Sequence, residues 1–247
     1  MVDPATPLGD EQRPSGLVVP ESGIRPRGIP AIDHTYRDLI RGQTRGLLLH
    51  DGFQRSGLGT ADSGQPWKAV AGSPAVVTGY MRGDLGMENI AIAGLGHQEG
   101  VEMWAQWNTG AEDDVNVGFV LRYRDVGNYI LCQILGSTVG PPNGGIKIYK
   151  RVGGAFTLLD TRAFATALSS NVTLYARVLA AGNIVFFHVK LMSSGSSGLT
   201  VDLGVDSTAL WTSGQAFRNA WGVGLRFNEG ALAPATSTGR GLVARTF

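Results

Sequence analysis

Two carboxyls aimed into one groove can cleave a glycosidic bond, one as the acid and the other as nucleophile or base. The segment that approaches this pattern is QEGVEMWAQW, which carries Glu99 and Glu102. Side chains on a strand repeat every second residue, so these two point to opposite faces unless a bulge at Gly100 intervenes. The spacing argues against hydrolysis, and the chain is expected not to be an enzyme. Neither a Gly-x-Ser-x-Gly elbow nor a Walker loop is present. His34, His50, His97 and His188 are scattered, without the paired spacing of a metal site.

Sugar recognition asks for aromatic faces beside amide or charged groups. Trp104, Trp107, Tyr123, Tyr129 and Trp221 are the candidate platforms, with Arg122 and Asn128 as polar partners. Core packing is the competing reading for the rings, and shaping a hairpin turn is the competing reading for Asn128. Trp104 and Trp107 lie three apart, so a regular strand buries at most one of them and leaves the other exposed. Asp51 and Asp62 flank a glycine-rich stretch, DGFQRSGLGTADSGQPW, and are candidate calcium ligands. Calcium takes roughly six to eight oxygens, and the alternative is a loop that turns a corner between sheets. No cofactor other than calcium is suggested by these residues. Glu112-Asp113-Asp114 reads as a solvated turn or a site for calcium or a basic partner, and Arg82-Gly83-Asp84 as a turn between strands.

These residues must be positioned by strands. The 36 glycines are about twice average usage and show no Gly-X-Y period. Short apolar runs recur between turn residues: AVVTGYM (75–81), NIAIA (89–93), VEMWAQW (101–107), NVGFVLRY (116–123), NYILCQIL (128–135), GIKIYK (145–150), VTLYARV (172–178), NIVFFHVK (183–190), WGVGLRF (221–227) and GLVARTF (241–247). In the fourth, Val117, Phe119, Leu121 and Tyr123 are expected on one face and Val120 and Arg122 on the other. Such spacing predicts an all-β, two-sheet antiparallel sandwich of the jelly-roll kind over residues 47–247. The lone cysteine, Cys132, sits in an apolar strand and is expected to be a buried, inert thiol.

Residues 1–46 differ. Six of the eleven prolines lie in the first thirty residues, which favours an extended arm, with one short helix expected from Asp33 to Gly42. Asp and Pro at the N-terminus do not match a signal peptide, and no run reaches the roughly 18 apolar residues that span a bilayer. A formal net charge of +1 without a Lys/Arg stripe argues against nucleic acid.

Taken as a set, several segments resemble the concanavalin A-like lectin/glucanase and laminin G-like jelly rolls. Asp51, Phe53, Arg55, Leu58, Gly59, Gly64 and Trp67 match the opening loop of that group, VGFVLRYRDVGNYILCQI its central hairpin, and GLVARTF the closing strand that runs beside the first. The Glu-x-Asp-x-x-Glu pattern of the related glucanases is absent. With a Pro-rich arm ahead of the sandwich and no secretion signal, the chain resembles minor tail proteins of tailed bacteriophages. That resemblance implies a structural virion component, made in the host cytoplasm and joined to other tail proteins through residues 1–46. It further implies a homo-oligomer, a trimer by analogy, and a sandwich that projects or binds host-surface glycan. The alternative is a carbohydrate-active protein, lectin or glycoside hydrolase, on the same fold.

Overall fold

Short apolar runs between turn residues make strands, and this chain stacks two sheets of them, with β5 (Asn89–Gly94) and β8 (Asn128–Leu135) buried on both faces. The computed structural model describes residues 47–245 except 78, 85–86, 97–99, 109–115, 139, 141, 169–171, 182–183, 192–199, 207–216, 218–219, 230 and 233–241. The expected arm 1–46 with its helix, Glu99, His97 and the run 112–114 lie outside the described residues.

One sheet has seven strands in the order β10-β9-β8-β7-β14-β5-β2, all neighbours antiparallel. Its members are β2 (Trp67–Ala71), β5 (Asn89–Gly94), β7 (Asn116–Asp125), β8 (Asn128–Leu135), β9 (Gly145–Val152), β10 (Ala155–Ala163) and β14 (Gly222–Glu229). The other sheet has nine strands: β1 (Leu47–Asp51), β3 (Ala75–Val77), β4 (Tyr80–Arg82), β6 (Gly100–Asn108), β11 (Thr173–Ala181), β12 (Ile184–Leu191), β13 (Thr200–Asp206), β15 (Ala231–Leu232) and β16 (Leu242–Arg245). The closing strand β16 pairs antiparallel with the first, β1, as the resemblance implied. Among the described residues no helix is long and apolar enough to cross a membrane.

Between the sheets, Trp107 of β6 meets Phe119 edge-on at 5.6 Å and Phe227 at 5.5 Å, both from the seven-stranded sheet. Phe119 in turn meets Phe187 of the nine-stranded sheet at 6.2 Å. Cys132 is fully buried beside this cluster, and burial pushes its thiol far above the ordinary range, so it stays protonated.

Two strand expectations are corrected. AVVTGYM is not one strand: β3 and β4 form a hairpin, Val77 opposite Tyr80, because Gly79 adopts φ 93°. Tyr123 does not share a face with Val117, Phe119 and Leu121. Arg122 sits at φ 49°, the register with β8 shifts between Leu121 and Asp125, and this bulge turns Tyr123 to the outer face beside Val120.

The glycine-rich segment 51–67 is the corner between the sheets. Gly57, Gly59 and Gly64 have φ of 80°, 50° and 98°, and buried Phe53 and Trp67 hold its two ends with rings 6.4 Å apart. At its base Asp51 is fully buried. Its Oδ1 accepts from Arg55 Nη1 at 2.7 Å and the Phe53 amide at 2.8 Å, and its Oδ2 from Arg55 Nη2 at 2.7 Å and Trp67 Nε1 at 2.6 Å.

Candidate functional site

The outer face of the seven-stranded sheet carries its own apolar cluster, separate from the core between the sheets. Ile90 and Ile92 of β5, Val120 and Tyr123 of β7, and Tyr129 and Leu131 of β8 form it, all buried. Across it runs a row of five aromatic rings. Phe156 on β10 meets Tyr149 on β9 at 5.8 Å and Tyr129 on β8 at 6.0 Å, both edge-on. Tyr129 stacks on Tyr123 of β7 at 6.2 Å and 25°, and Tyr123 meets Trp221, just before β14, edge-on at 5.5 Å.

The row has a sealed middle and accessible ends. Tyr129 is fully buried and Tyr123 is 5% exposed, whereas Tyr149 and Trp221 are half-buried and Phe156 is 45% exposed. Burial raises both buried tyrosines above the ordinary phenol range, so their hydroxyls remain donors at neutral pH. Trp221 Nε1 donates to the Arg124 carbonyl at 2.9 Å, which fixes the indole.

Charged and amide groups are fixed beside the rings. Arg226 of β14 donates from Nε to Glu88 at 3.0 Å and from Nη1 to Asn116 Oδ1 at 2.6 Å, and Gln133 donates to that same oxygen. Glu88 also lies 3.6 Å from Arg151 Nη1. Arg151 donates to the Tyr129 hydroxyl at 3.0 Å and to the Gly154 carbonyl at 3.1 Å, while its guanidinium lies 4.8 Å above the Phe156 ring. Close strand approach at the centre of this face requires glycine: a Cβ at Gly224 would lie 2.1 Å from the Ala91 carbonyl oxygen.

Of the residues proposed from sequence, Tyr123 and Tyr129 stack on each other, and Arg122 and Asn128 lie on the same β7–β8 hairpin. Asn128 shapes the turn: its Nδ2 donates to Asp125 Oδ1 at 2.7 Å and its Oδ1 accepts from the Gly153 amide at 3.2 Å. Arg122 is half-buried at the bulge, and burial lowers its pKa. Trp107 is in the core and cannot be a platform. Trp104 is on the outer face of the nine-stranded sheet, yet is 3% exposed and not open as expected. The Arg245 and Arg177 guanidiniums lie 4.7 and 6.0 Å from its ring centroid and cap it. Those two arginines also hold the buried Glu102, with Arg245 Nε 2.9 Å from Oε2 and Arg177 on Oε1.

Asp51, with four donors on two oxygens, has no lone pair left for calcium. Asp62 accepts from the Gly52 amide at 2.7 Å and lies 3.9 Å from His50 Nδ1, so it braces the same loop. Among the described residues no group of three or more His, Cys, Asp or Glu side chains is placed to hold a metal ion. Sequence reasoning missed Glu88, Tyr149, Arg151, Phe156 and Arg226. The signal for three of them was the alternation Lys147-x-Tyr149-x-Arg151 followed, across the Gly153-Gly154 turn, by Phe156.

No family model matches the chain, and no curated protein matches it. Solved structures do. The exoplasmic/lumenal domain of VIP36 in its Ca2+-bound form superposes with a TM-score of 0.50 at 12% identity, covering 81% of this chain and 89% of that one. The carbohydrate-binding module CBM66 from Bacillus subtilis gives 0.46 at 15%, covering 67% and 90%. The GH43 protein BlXynB from Bacillus licheniformis gives 0.45 at 15%, over 78% of this chain but 37% of that one. At these identities the likeness is one of fold, a two-sheet antiparallel β-sandwich.

Proposed function

We propose that the sandwich is a non-enzymatic glycan-binding module whose ligand lies along the accessible part of the aromatic row. The observation that carries this reading is the row itself. Phe156 is exposed and Tyr149 and Trp221 are half-buried, while buried Tyr123 and Tyr129 and the Arg226–Glu88–Arg151 network hold them rigid. Groups fixed before binding lose little entropy when a ligand arrives, so rigid aromatics beside donors suit sugar rings with apolar faces and hydroxyl edges.

The carboxylates support binding over cleavage. Glu88 sits between Arg151 and Arg226, and Glu102, on the other sheet, between Arg177 and Arg245. Each faces guanidiniums, where a glycosidase needs a second carboxyl about 5 to 9 Å away. A polysaccharide array probed with the full chain is expected to show binding without release of reducing ends. Cleavage of a bound polymer would transfer the reading to a glycoside hydrolase, and no binding to any polymer would remove it.

The module belongs, in this proposal, to a minor tail protein of a tailed bacteriophage, fixed to its neighbours by residues 1–46. The prolines and few large apolar residues of that arm suit a segment that gains order against a partner. Protease digestion is expected to remove residues 1–46 from the isolated chain and to spare them in assembled particles. Equal cleavage in both would contradict the assembly role.

A further inference from the structure

Lys147, Tyr149 and Arg151 alternate along β9, so the outer face presents a cation, a ring and a cation in a line roughly 14 Å long. The register fixes what flanks them. Lys147 lies opposite Gln133 of β8 and Thr161 of β10, Tyr149 opposite Leu131 and Leu158, and Arg151 opposite Tyr129 and Phe156. β10 is the edge strand, and Phe156, Leu158 and Thr161 on it are exposed, so this flank of the face is the accessible one.

The charges on this flank are unbalanced. Glu88 is shared between Arg151 and Arg226. Lys147, half-buried, has no ion-pair partner among the described residues, and Asp160 lies opposite Ile148, whose side chain is in the core between the sheets. The Lys147 ammonium is therefore not committed to an ion pair among the described residues, and a ligand anion can pair with it. Arg151 is already immobilised by Tyr129, Gly154 and Phe156, so its fork is oriented before anything binds.

We infer that the glycan is acidic: a polysaccharide whose sugar rings carry carboxylates, with rings against Tyr149 and Phe156 and carboxylates on Lys147 and Arg151. This rests on the glycan-binding reading above and narrows its substrate class. A carboxylate borne on the sugar ring reaches its cation together with the ring's stacking contact. A phosphodiester lies between sugars and would separate the two.

The test is affinity of the full chain for polygalacturonate, alginate, hyaluronan and polysialate, for their carboxyl-reduced neutral forms, and for poly(glycerol phosphate). At least one carboxylated polymer is expected to bind about tenfold or more tightly than its reduced form. Lys147→Gln is expected to weaken that binding about tenfold at unchanged melting temperature, and Lys147→Arg to retain it. Equal binding of a polymer and its reduced form overturns the acidic class and leaves glycan binding standing. So does an unaffected Lys147→Gln variant, or a neutral glycan bound when no carboxylated polymer is. Preference for poly(glycerol phosphate) overturns the carboxylate assignment. Failure to bind any glycan overturns this inference together with the reading it rests on.

Discussion

Asp51→Ala is expected to lower the unfolding free energy by about 4 kcal/mol, the range found when one partner of a buried ion pair is removed. The side chain is completely buried and accepts from four donors. Without it the Arg55 guanidinium, whose side chain is 22% exposed, recovers only part of its hydration. Trp67 Nε1 is left as a buried donor with no acceptor, which by itself costs about 1–3 kcal/mol. The corner between the sheets then has no centre, because Arg55 also donates to the Leu58 carbonyl at 2.8 Å through the orientation that Asp51 imposes. Urea denaturation followed by intrinsic fluorescence measures the change. For a sandwich of this size the melting temperature should fall by about 8 °C or more. A loss below about 1 kcal/mol would mean that the loop is held by its backbone hydrogen bonds and its buried rings.

Glu102→Ala is the second large effect, expected at about 3 kcal/mol and localised. Glu102 lies on β6 between β11 and β16, and Arg177 and Arg245 reach it from those two flanking strands. One buried carboxylate therefore joins three strands, including the last of the chain, and orients the two guanidiniums that cap Trp104. The arginine side chains are 32% and 30% exposed, so water recovers part of the loss and keeps the figure below that for Asp51. Hydrogen exchange should show the amides of Leu242–Arg245 losing protection before those of the seven-stranded sheet. Unchanged protection of β16 would show that its pairing with β1 suffices to hold it.

Much of the architecture was legible because it follows from period-two alternation and glycine-marked turns. β8 occupies the expected residues, and the corner loop carries its glycines where left-handed backbone is needed. What was not legible depends on events that alternation cannot encode. A single arginine in the left-handed region re-aims Tyr123, and nothing in VLRYRD distinguishes that bulge from a regular strand. Trp104 looked like an exposed platform because its two arginines arrive from strands far along the chain. Asp51 looked like an ion ligand because its partners Arg55 and Trp67 fold back onto it only when the loop closes. The row of rings is half visible in the sequence, where Tyr123, Tyr129 and Trp221 stand out as candidate platforms. Tyr149, Arg151 and Phe156 joined them only once the order β10-β9-β8-β7-β14 placed five strands side by side.

The most direct measurement of the central claim is the affinity of Phe156→Ala for the polymer that the wild-type chain binds best. Phe156 is 45% exposed on an edge strand, so its removal should leave the melting temperature within a few degrees of wild type. It also takes away the most accessible ring of the row, and isothermal titration should show affinity falling about tenfold or more, as for an aromatic anchor at a binding centre. Undiminished affinity in a folded Phe156→Ala chain would contradict the account and place the glycan elsewhere on the sandwich.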